Sequence, residues 1–434
     1  MEKTFRFLSM AALLVVGAIM TGCSSDDNMD IPQQPANKDN VVTLTATVSL
    51  DGGDGMRAVD GSTGVKTFES TNKIAVVYKN ASDETMVAES GALTLSADKK
   101  TATFTVTLTN PANNSAIRYI YPATMAKTPA TDATITDDDA TIDYSGLFGS
   151  QDGTLATIGT NYDLAVFDGS LSGTNLPTST TLTNKLAICK FKLKDTTPPI
   201  TDITSTVNSL TVSDGTNTYA ISPSGLSEIY VAMKPVTGKS IAFTASTSAS
   251  KTYFKTSGIK TLAASKLYTD ISVAMVELAV GKVIGKDGII YNDAAEAGAQ
   301  AAAIIAYLGS DTYDATFKNG LAIALADESG TMDWSTAMST CGAKTAITGA
   351  KWCLPSQEQW LKMFKANGGD DTSYTGLNTT ITTAGGTTLQ AGDYWSSTEW
   401  NLGSDALYVY LVSGASIYSK SKDNNCRVRA CLAF

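Results

Sequence analysis

Histidine is missing from all 434 residues, and that one absence removes a broad set of chemistries. A Ser-His-Asp triad, a Cys-His dyad, His-ligated zinc and an imidazole general base are excluded. With them goes the commonest acid–base catalysis near neutral pH. Positive charge is also scarce: 32 Lys and Arg stand against 42 Asp and Glu, a formal net charge of −10 and a pI near 4.7. This argues against a nucleic-acid binder, which would carry a basic face. After the first two dozen residues no apolar run reaches the length of a membrane span. The chain is nonetheless 43% hydrophobic and only 17% charged, so it can bury cores and does not read as a disordered tail. Its length suits two or three domains. We expect no catalytic residues, no metal, no cofactor and no enzymatic activity.

Residues 1–22 read as a signal peptide: Lys3 and Arg6 precede an apolar run from Ala11 to Met20 that is too short for a comfortable span. Met20-Thr21-Gly22-Cys23 resembles a bacterial lipobox, which implies lipidation of Cys23 as the mature N-terminus. The following Ser24-Ser25-Asp26-Asp27 resembles the acidic surface-export tag of Bacteroidetes lipoproteins, and residues 23–40 form a polar tether. Any membrane contact is expected through the lipid alone.

From Val41 to about Ile271 the pattern has period two and is rich in Thr and Val. Val42, Leu44, Ala46, Val48 and Leu50 share one face; Ala102, Phe104, Val106 and Leu108 share another. Cys189, Phe191 and Leu193 alternate with Lys190, Lys192 and Lys194. Turn signals such as Asp51-Gly52, Asn110-Pro111, Asp168-Gly169 and Asp214-Gly215 punctuate the runs. Many short strands so spaced suggest β-sandwiches. The expected division is a first sandwich over 41–165 and a second over 166–275.

Several segments here resemble the fimbrillin families of Bacteroidales, the subunits of type V pili: Met56-Arg57-Ala58, Phe68, the run from Asn72 to Tyr78, Tyr119-Ile120-Tyr121-Pro122-Ala123, and Leu182-Thr183-Asn184-Lys185-Leu186-Ala187. The resemblance covers roughly 41–275 and implies two tandem transthyretin-like sandwiches. It also implies cleavage between Arg57 and Ala58, loss of the first strand, 41–50, and donor-strand exchange with other pilus subunits. The physics is general. A sandwich that loses a strand exposes unpaired N–H and C=O groups beside an apolar groove, and an extended segment of another chain can fill it. Residues 51–57 are Gly-rich and polar, as an accessible cleavage site requires.

Residues 276–434 differ in composition. A hairpin is expected around Asp287-Gly288, followed by an Ala-rich segment, 294–307, that reads as helix or buried strand. Asp333 caps a helix with Trp334, Ala337, Met338 and Cys341 on one face. Ser356 and Gln359 make a capping box ahead of Trp360, Met363 and Phe364, and Gly368 ends that helix. The last residues alternate, Val428, Ala430, Leu432 and Phe434 inward against Arg427 and Arg429. No spare extended segment is read beyond them.

The runs Trp352-Cys353-Leu354-Pro355-Ser356, Tyr394-Trp395-Ser396-Ser397-Thr398-Glu399 and Arg427-Val428-Arg429-Ala430-Cys431 resemble the C-type-lectin-like fold, in its branch related to formylglycine-generating enzymes. That resemblance covers about 280–434 and implies an α+β domain. The Glu-Pro-Asn, Gln-Pro-Asp and Trp-Asn-Asp runs of calcium-dependent sugar binders are absent. Trp352, Trp360 and Trp395 read as core. Cys189 reads as a buried free thiol. Cys341, Cys353, Cys426 and Cys431 are candidates for disulfides in an exported chain, with three pairings open; Cys426 and Cys431 could instead mimic the redox pair of the formylglycine-generating group. Recognition of an unknown surface glycan or protein receptor is expected in segments 365–393 and 399–405, with Trp400 exposed.

The whole reads as a mainly β protein: two sandwiches, then an α+β domain. The expected role is a pilus subunit at the tip, anchored at the outer membrane as a lipoprotein precursor and then assembled. The alternative is a glycan-binding surface lipoprotein that never polymerises.

Overall fold

The computed structural model describes residues 40–50, 67–368, 373–401, 403–412 and 414–434. The chain is mainly β, with its strands in several sheets.

The first sheet contains β1 (Val41–Leu50), β2 (Ala75–Lys79), β3 (Thr85–Glu89), β4 (Thr94–Leu95), β5 (Thr101–Thr109), β6 (Ala116–Tyr121), β7 (Ala165–Ser170) and β8 (Thr180–Asn184), in the order β3-β2-β6-β7-β8-β1-β5-β4. It folds over on itself. Ala46, Val48, Phe104 and Val106 from the β1–β5 half share one core with Val76, Tyr78, Tyr119 and Tyr121 from the β2–β6 half. Strict alternation makes this possible, because period-two apolar residues all point to one side of a strand.

The expected boundary at 165/166 is corrected by the strand pairing. β7 lies antiparallel to β6 along its whole length, and β8 bridges β7 and β1. Both therefore belong to the first sandwich, and the sheets change hands between Asn184 and Ala187. Residues 166–184 carry the same Thr-rich alternation as their neighbours on either side, so composition alone could not mark the break.

Between β6 and β7 the chain forms short helical turns, α1 (Asp138–Thr141), α2 (Ser145–Gly149) and α3 (Leu155–Thr157). This insert covers the outer face of β2 and β6 and joins them to the second sandwich: Ala75, Val77 and Ile120 share a core with Ile142, Leu147, Ile158, Val231 and Met233. Gln151 fixes the contact, donating to Ala232 O at 2.9 Å and accepting from Ala232 N at 2.8 Å.

The second sandwich holds β9 (Ala187–Asp195), β10 (Thr201–Asp202), β11 (Val207–Ser213), β12 (Thr218–Ile221), β13 (Ile229–Met233), β14 (Val236–Thr247), β15 (Thr252–Leu262) and β16 (Leu267–Glu277). β16 runs parallel to β9 and crosses to β15 at its end. Cys189 faces the core, where burial pushes its thiol up to about 12.

The last part is α+β. A six-stranded sheet of β17 (Val283–Gly285), β18 (Ile290–Tyr291), β19 (Ala301–Leu308), β20 (Gly320–Ala324), β21 (Lys351–Cys353) and β25 (Cys431–Ala433) has the order β18-β17-β19-β20-β25-β21. The Ala-rich segment is both things expected of it: α4 (Ala294–Ala297), then β19. Helix α5 (Trp334–Gly342), capped by Asp333, packs on one face; α6 (Gln357–Ala366) and α7 (Thr375–Thr383) pack on the other. The Ser356–Gln359 capping box forms, and Gly368, at φ +77°, bonds back to Lys365 O. A separate sheet of β22 (Gly392–Asn401), β23 (Asp405–Leu411) and β24 (Ala415–Ser421) completes the domain.

Two details depart from expectation. Met338 faces solvent while Ala337 and Cys341 are buried, because α5 is short and shows the sheet only a narrow stripe. Arg429 does not point outward: it is fully buried.

Candidate functional site

The removable-strand reading places its site at β1. Nine residues of β1 face β5 in antiparallel register, from Val41 opposite Thr109 to Ser49 opposite Thr101. On the other edge only Val48, Ser49 and Leu50 pair, parallel, with Thr180, Thr181 and Leu182. Among the described residues, then, the first half of β1 is bonded on one side alone. Its two faces are chemically opposite. Outward, hydroxyls pair across the strands, Thr43 with Thr107 and Thr45 with Thr105 at 3.2 Å, and Thr47 with Thr103 at 2.9 Å. Inward, Ala46, Val48 and Leu50 are buried and Val42 and Leu44 partly so. Without β1 the facing edges of β5 and β8 would be unpaired. The core is picked up again at Phe68, whose ring meets Tyr121 edge-on at 4.9 Å. Cys23, Arg57 and Ala58 lie outside the described residues.

In the last domain two neighbouring strands carry residues that the sequence reading missed. Tyr408, Tyr410 and Tyr418 cluster on one face of β23 and β24, with ring centroids 6.0 Å (Tyr408–Tyr418) and 6.3 Å (Tyr410–Tyr418) apart. Tyr410 and Tyr418 are exposed, as are Val412 just past β23 and Trp400 near the end of β22, at 68% of its surface. Lys420 Nζ lies 4.2 Å from the Tyr408 ring centroid and pairs with Asp393. The clue was available in the i, i+2 spacing of Tyr408 and Tyr410, since alternation puts both on one side. Segment 365–393, expected to be recognition loop, instead contains α7.

The same domain contains a buried charge. Arg429 donates from Nε to Asp327 Oδ1 at 2.6 Å, from NH1 to Ala324 O at 2.9 Å and from NH2 to Thr387 O at 2.8 Å. Tyr394 OH donates to the other oxygen of Asp327 at 2.7 Å, and burial together with that carboxylate pushes the phenol well above its ordinary value. Trp352, Trp360 and Trp395 are core residues. Their indole N–H groups donate to Thr345 O, Trp395 O and Met332 O.

Cys353 and Cys431 are register partners across β21 and β25. Cys341 and Cys426 are buried elsewhere in the domain, and burial pushes their thiols up, to about 12 and about 11. Cys426 lies in the core on the α5 side, and Cys431 in the core on the α6 and α7 side. Among the described residues no three His, Cys, Asp or Glu side chains converge on a point that could hold a metal ion. Nor is any described helix long and apolar enough to cross a membrane.

No protein-family profile matches the chain, and no curated protein matches it. Solved structures with some likeness include a Bacteroides uniformis protein with a proposed cell-adhesion role (15% identity, 54% of this chain and 97% of that one, TM-score 0.28). A fimbrial assembly protein of Parabacteroides distasonis matches at 8% identity over 50% of this chain and 86% of that one, TM-score 0.28. The minor pilin GBS52 of Streptococcus agalactiae matches at 8% identity over 54% and 97%, TM-score 0.24.

Proposed function

We propose that this chain is a pilus subunit, assembled by strand exchange after β1 is cut away behind Arg57, and that its α+β domain is an adhesive head. The observation that carries the reading is β1 itself. It closes a core through alternating apolar residues, yet half its length is bonded along one edge only, and the chain segment after it holds Arg57. A strand so placed can be exchanged for another of like pattern, because backbone bonds and alternate side chains are all that the groove reads. The lipobox-like segment at Cys23 supports an outer-membrane lipoprotein precursor.

The placement of β25 supports a tip position. A stalk subunit needs a segment to give its neighbour. β25 cannot serve as that segment cheaply: it sits between β20 and β21, with Cys431 and Leu432 fully buried, and withdrawing it would open the centre of the head. We therefore read this subunit as an acceptor that caps the pilus, with the tyrosines of β23 and β24 as its recognition surface and the C-type-lectin-like resemblance as the source of the head.

The deciding experiment is the N-terminal sequence of surface-sheared protein. Material beginning at Ala58, with Arg57→Ala leaving an anchored, unassembled precursor, supports the reading. Polymers in which residues 24–57 remain covalently attached overturn it. Antibody against residues 280–434 should label one end of each filament; regular labelling along the shaft rules out the tip.

A further inference from the structure

Four cysteines in the head leave three pairings open by sequence, and the sheet decides among them by parity. β21 and β25 are antiparallel, with Lys351 opposite Ala433, Trp352 opposite Leu432 and Cys353 opposite Cys431. Directly opposed residues of such a pair have Cα atoms ~4.5–5.5 Å apart and side chains on the same face. That separation lies within the ~4.4–6.8 Å that a disulfide spans.

Alternation then sorts the rest. Cys353, Cys431 and Ala433 face the core under α6 and α7. Trp352, Ala430 and Leu432 face the core under α5, and Cys341 and Cys426 belong to that side. The sheet itself separates the two sets. Within the second set, Cys426 bridges to Met332, just ahead of α5, whereas Cys341 lies in the last turn of that helix. At ~1.5 Å per residue Met332 and Cys341 are more than ~10 Å apart, so Cys426 lies beside the start of α5 and Cys341 at its end.

We propose that Cys353 and Cys431 form a disulfide when the chain meets a disulfide oxidant, while Cys341 and Cys426 remain thiols. The bond closes residues 353–431 into a covalent ring that contains α6, α7 and the sheet bearing the tyrosine cluster. It also staples β25 to β21. The reaction is thiol–disulfide exchange. The Cys353 thiolate attacks one sulfur of the incoming disulfide, whose other sulfur leaves as a thiolate. Cys431 gives up its proton, attacks the Cys353 sulfur of the mixed disulfide and releases the second thiol. Two cysteines are oxidised and one disulfide is reduced to two thiols. Cys353 suits the first step: it is the less buried of the two, and the hydrogen bond it shares with Cys431 holds its pKa below the ordinary value. Cys431, paired with Cys353 and wholly enclosed, is pushed up and suits the resolving step.

The staple bears on the head of the proposed pilus subunit and rests on that reading only for its setting outside the reducing cytoplasm. The test needs neither export nor assembly, so failure of one reading is visible apart from failure of the other. The full chain, purified under reductant, is equilibrated with oxidised glutathione, blocked with iodoacetamide and mapped by mass spectrometry without reduction. One peptide pair joining Cys353 to Cys431 is expected, with Cys341 and Cys426 alkylated once the protein is denatured. C431S should trap glutathione on Cys353, and C353S should carry none on Cys431. A link through Cys341 or Cys426 overturns the proposal, as does glutathione left on Cys353 of the unaltered chain. The oxidised chain should melt roughly 10 °C above the reduced one, a difference absent from C353S. Equal melting of both forms overturns the stapling role.

Discussion

Two arginines that a sequence reader would place on the surface are buried. Arg118, 1% exposed, reaches Asp168 at 2.6 and 3.1 Å, Asp138 at 2.8 Å, Thr141 at 2.9 Å and Thr136 O at 2.7 Å. Burial works against its charge, but Asp168 and Asp138 outweigh burial and hold the guanidinium above its ordinary pKa. Arg429 is likewise buried in the head, bonded to Asp327. Removing one partner of such a pair strands the other, which costs about 3–5 kcal/mol. Arg429→Ala should lose that much by urea unfolding of the head. Arg429→Lys should recover little, since a point charge cannot satisfy Asp327 and two carbonyls at once. Carboxylates set the acid limit. Asp214, in the β11–β12 turn, accepts from the backbone N–H groups of Thr216 and Asn217 at 2.8 Å each and from the Asn217 side chain at 3.0 Å. Burial alone would raise its pKa, but these bonds outweigh burial and hold it below the ordinary carboxylate value. Because the folded value is the lower one, its stabilisation is complete above the unfolded pKa of about 3.9. It is lost as pH falls through the folded value. Asp214→Asn should therefore weaken the protein at pH 7 and lose less on going from pH 5 to pH 2, read as the shift in urea midpoint. An unchanged pH dependence would show that Asp214 carries none of the acid sensitivity.

At the scale of elements, β1 and the tyrosine face make separate predictions. Val48 and Leu50 are buried, and removing side chains of their size from a core costs ~1.5–3 kcal/mol each, before any backbone bond to β5 is counted. A chain beginning at Ala58 should thus be markedly less stable than one beginning at Ser24. A synthetic peptide of residues 41–50 added in trans should restore its melting temperature. A peptide with Ala46, Val48 and Leu50 changed to Asp should not, since it presents charge to the groove. Equal rescue by both peptides would mean that the groove does not read side chains. On β23 and β24, replacing Tyr410 and Tyr418 by Ala should leave stability within ~0.5 kcal/mol, as for most exposed positions. Adhesion to the target surface should fall at least tenfold. Retained adhesion would move the recognition surface elsewhere, with Trp400 the next residue to test.

For the whole molecule, the two sandwiches and the head differ in how they are joined. The 122–164 insert gives the sandwiches a continuous core, Ala75 and Val77 packing with residues of the second sandwich. The head builds both of its cores almost wholly from residues after 275, with Phe254 the partly buried contributor from outside. A fragment of residues 276–434 should accordingly fold alone with a single cooperative transition. A fragment of 41–184 should not, because it lacks the second sandwich against which its insert packs. A head fragment without near-ultraviolet circular dichroism would contradict this.

The mainly β class, the alternating face of β1, the capping box before α6 and the burial of Trp360 and Trp395 were legible in the sequence, because each is set by period, by a local hydrogen bond or by bulk. The boundary between the sandwiches was not legible, since β7 and β8 share the composition of both sides and pairing alone assigns them. The burial of Arg429 was hidden for a related reason: its partner, Asp327, is about a hundred residues away, and an alternating pattern calls any arginine an outward one. The cysteine pairing depended on which strands lie side by side. Spacing along the chain carries no record of that, and only the meeting of β21 with β25 brings Cys353 opposite Cys431.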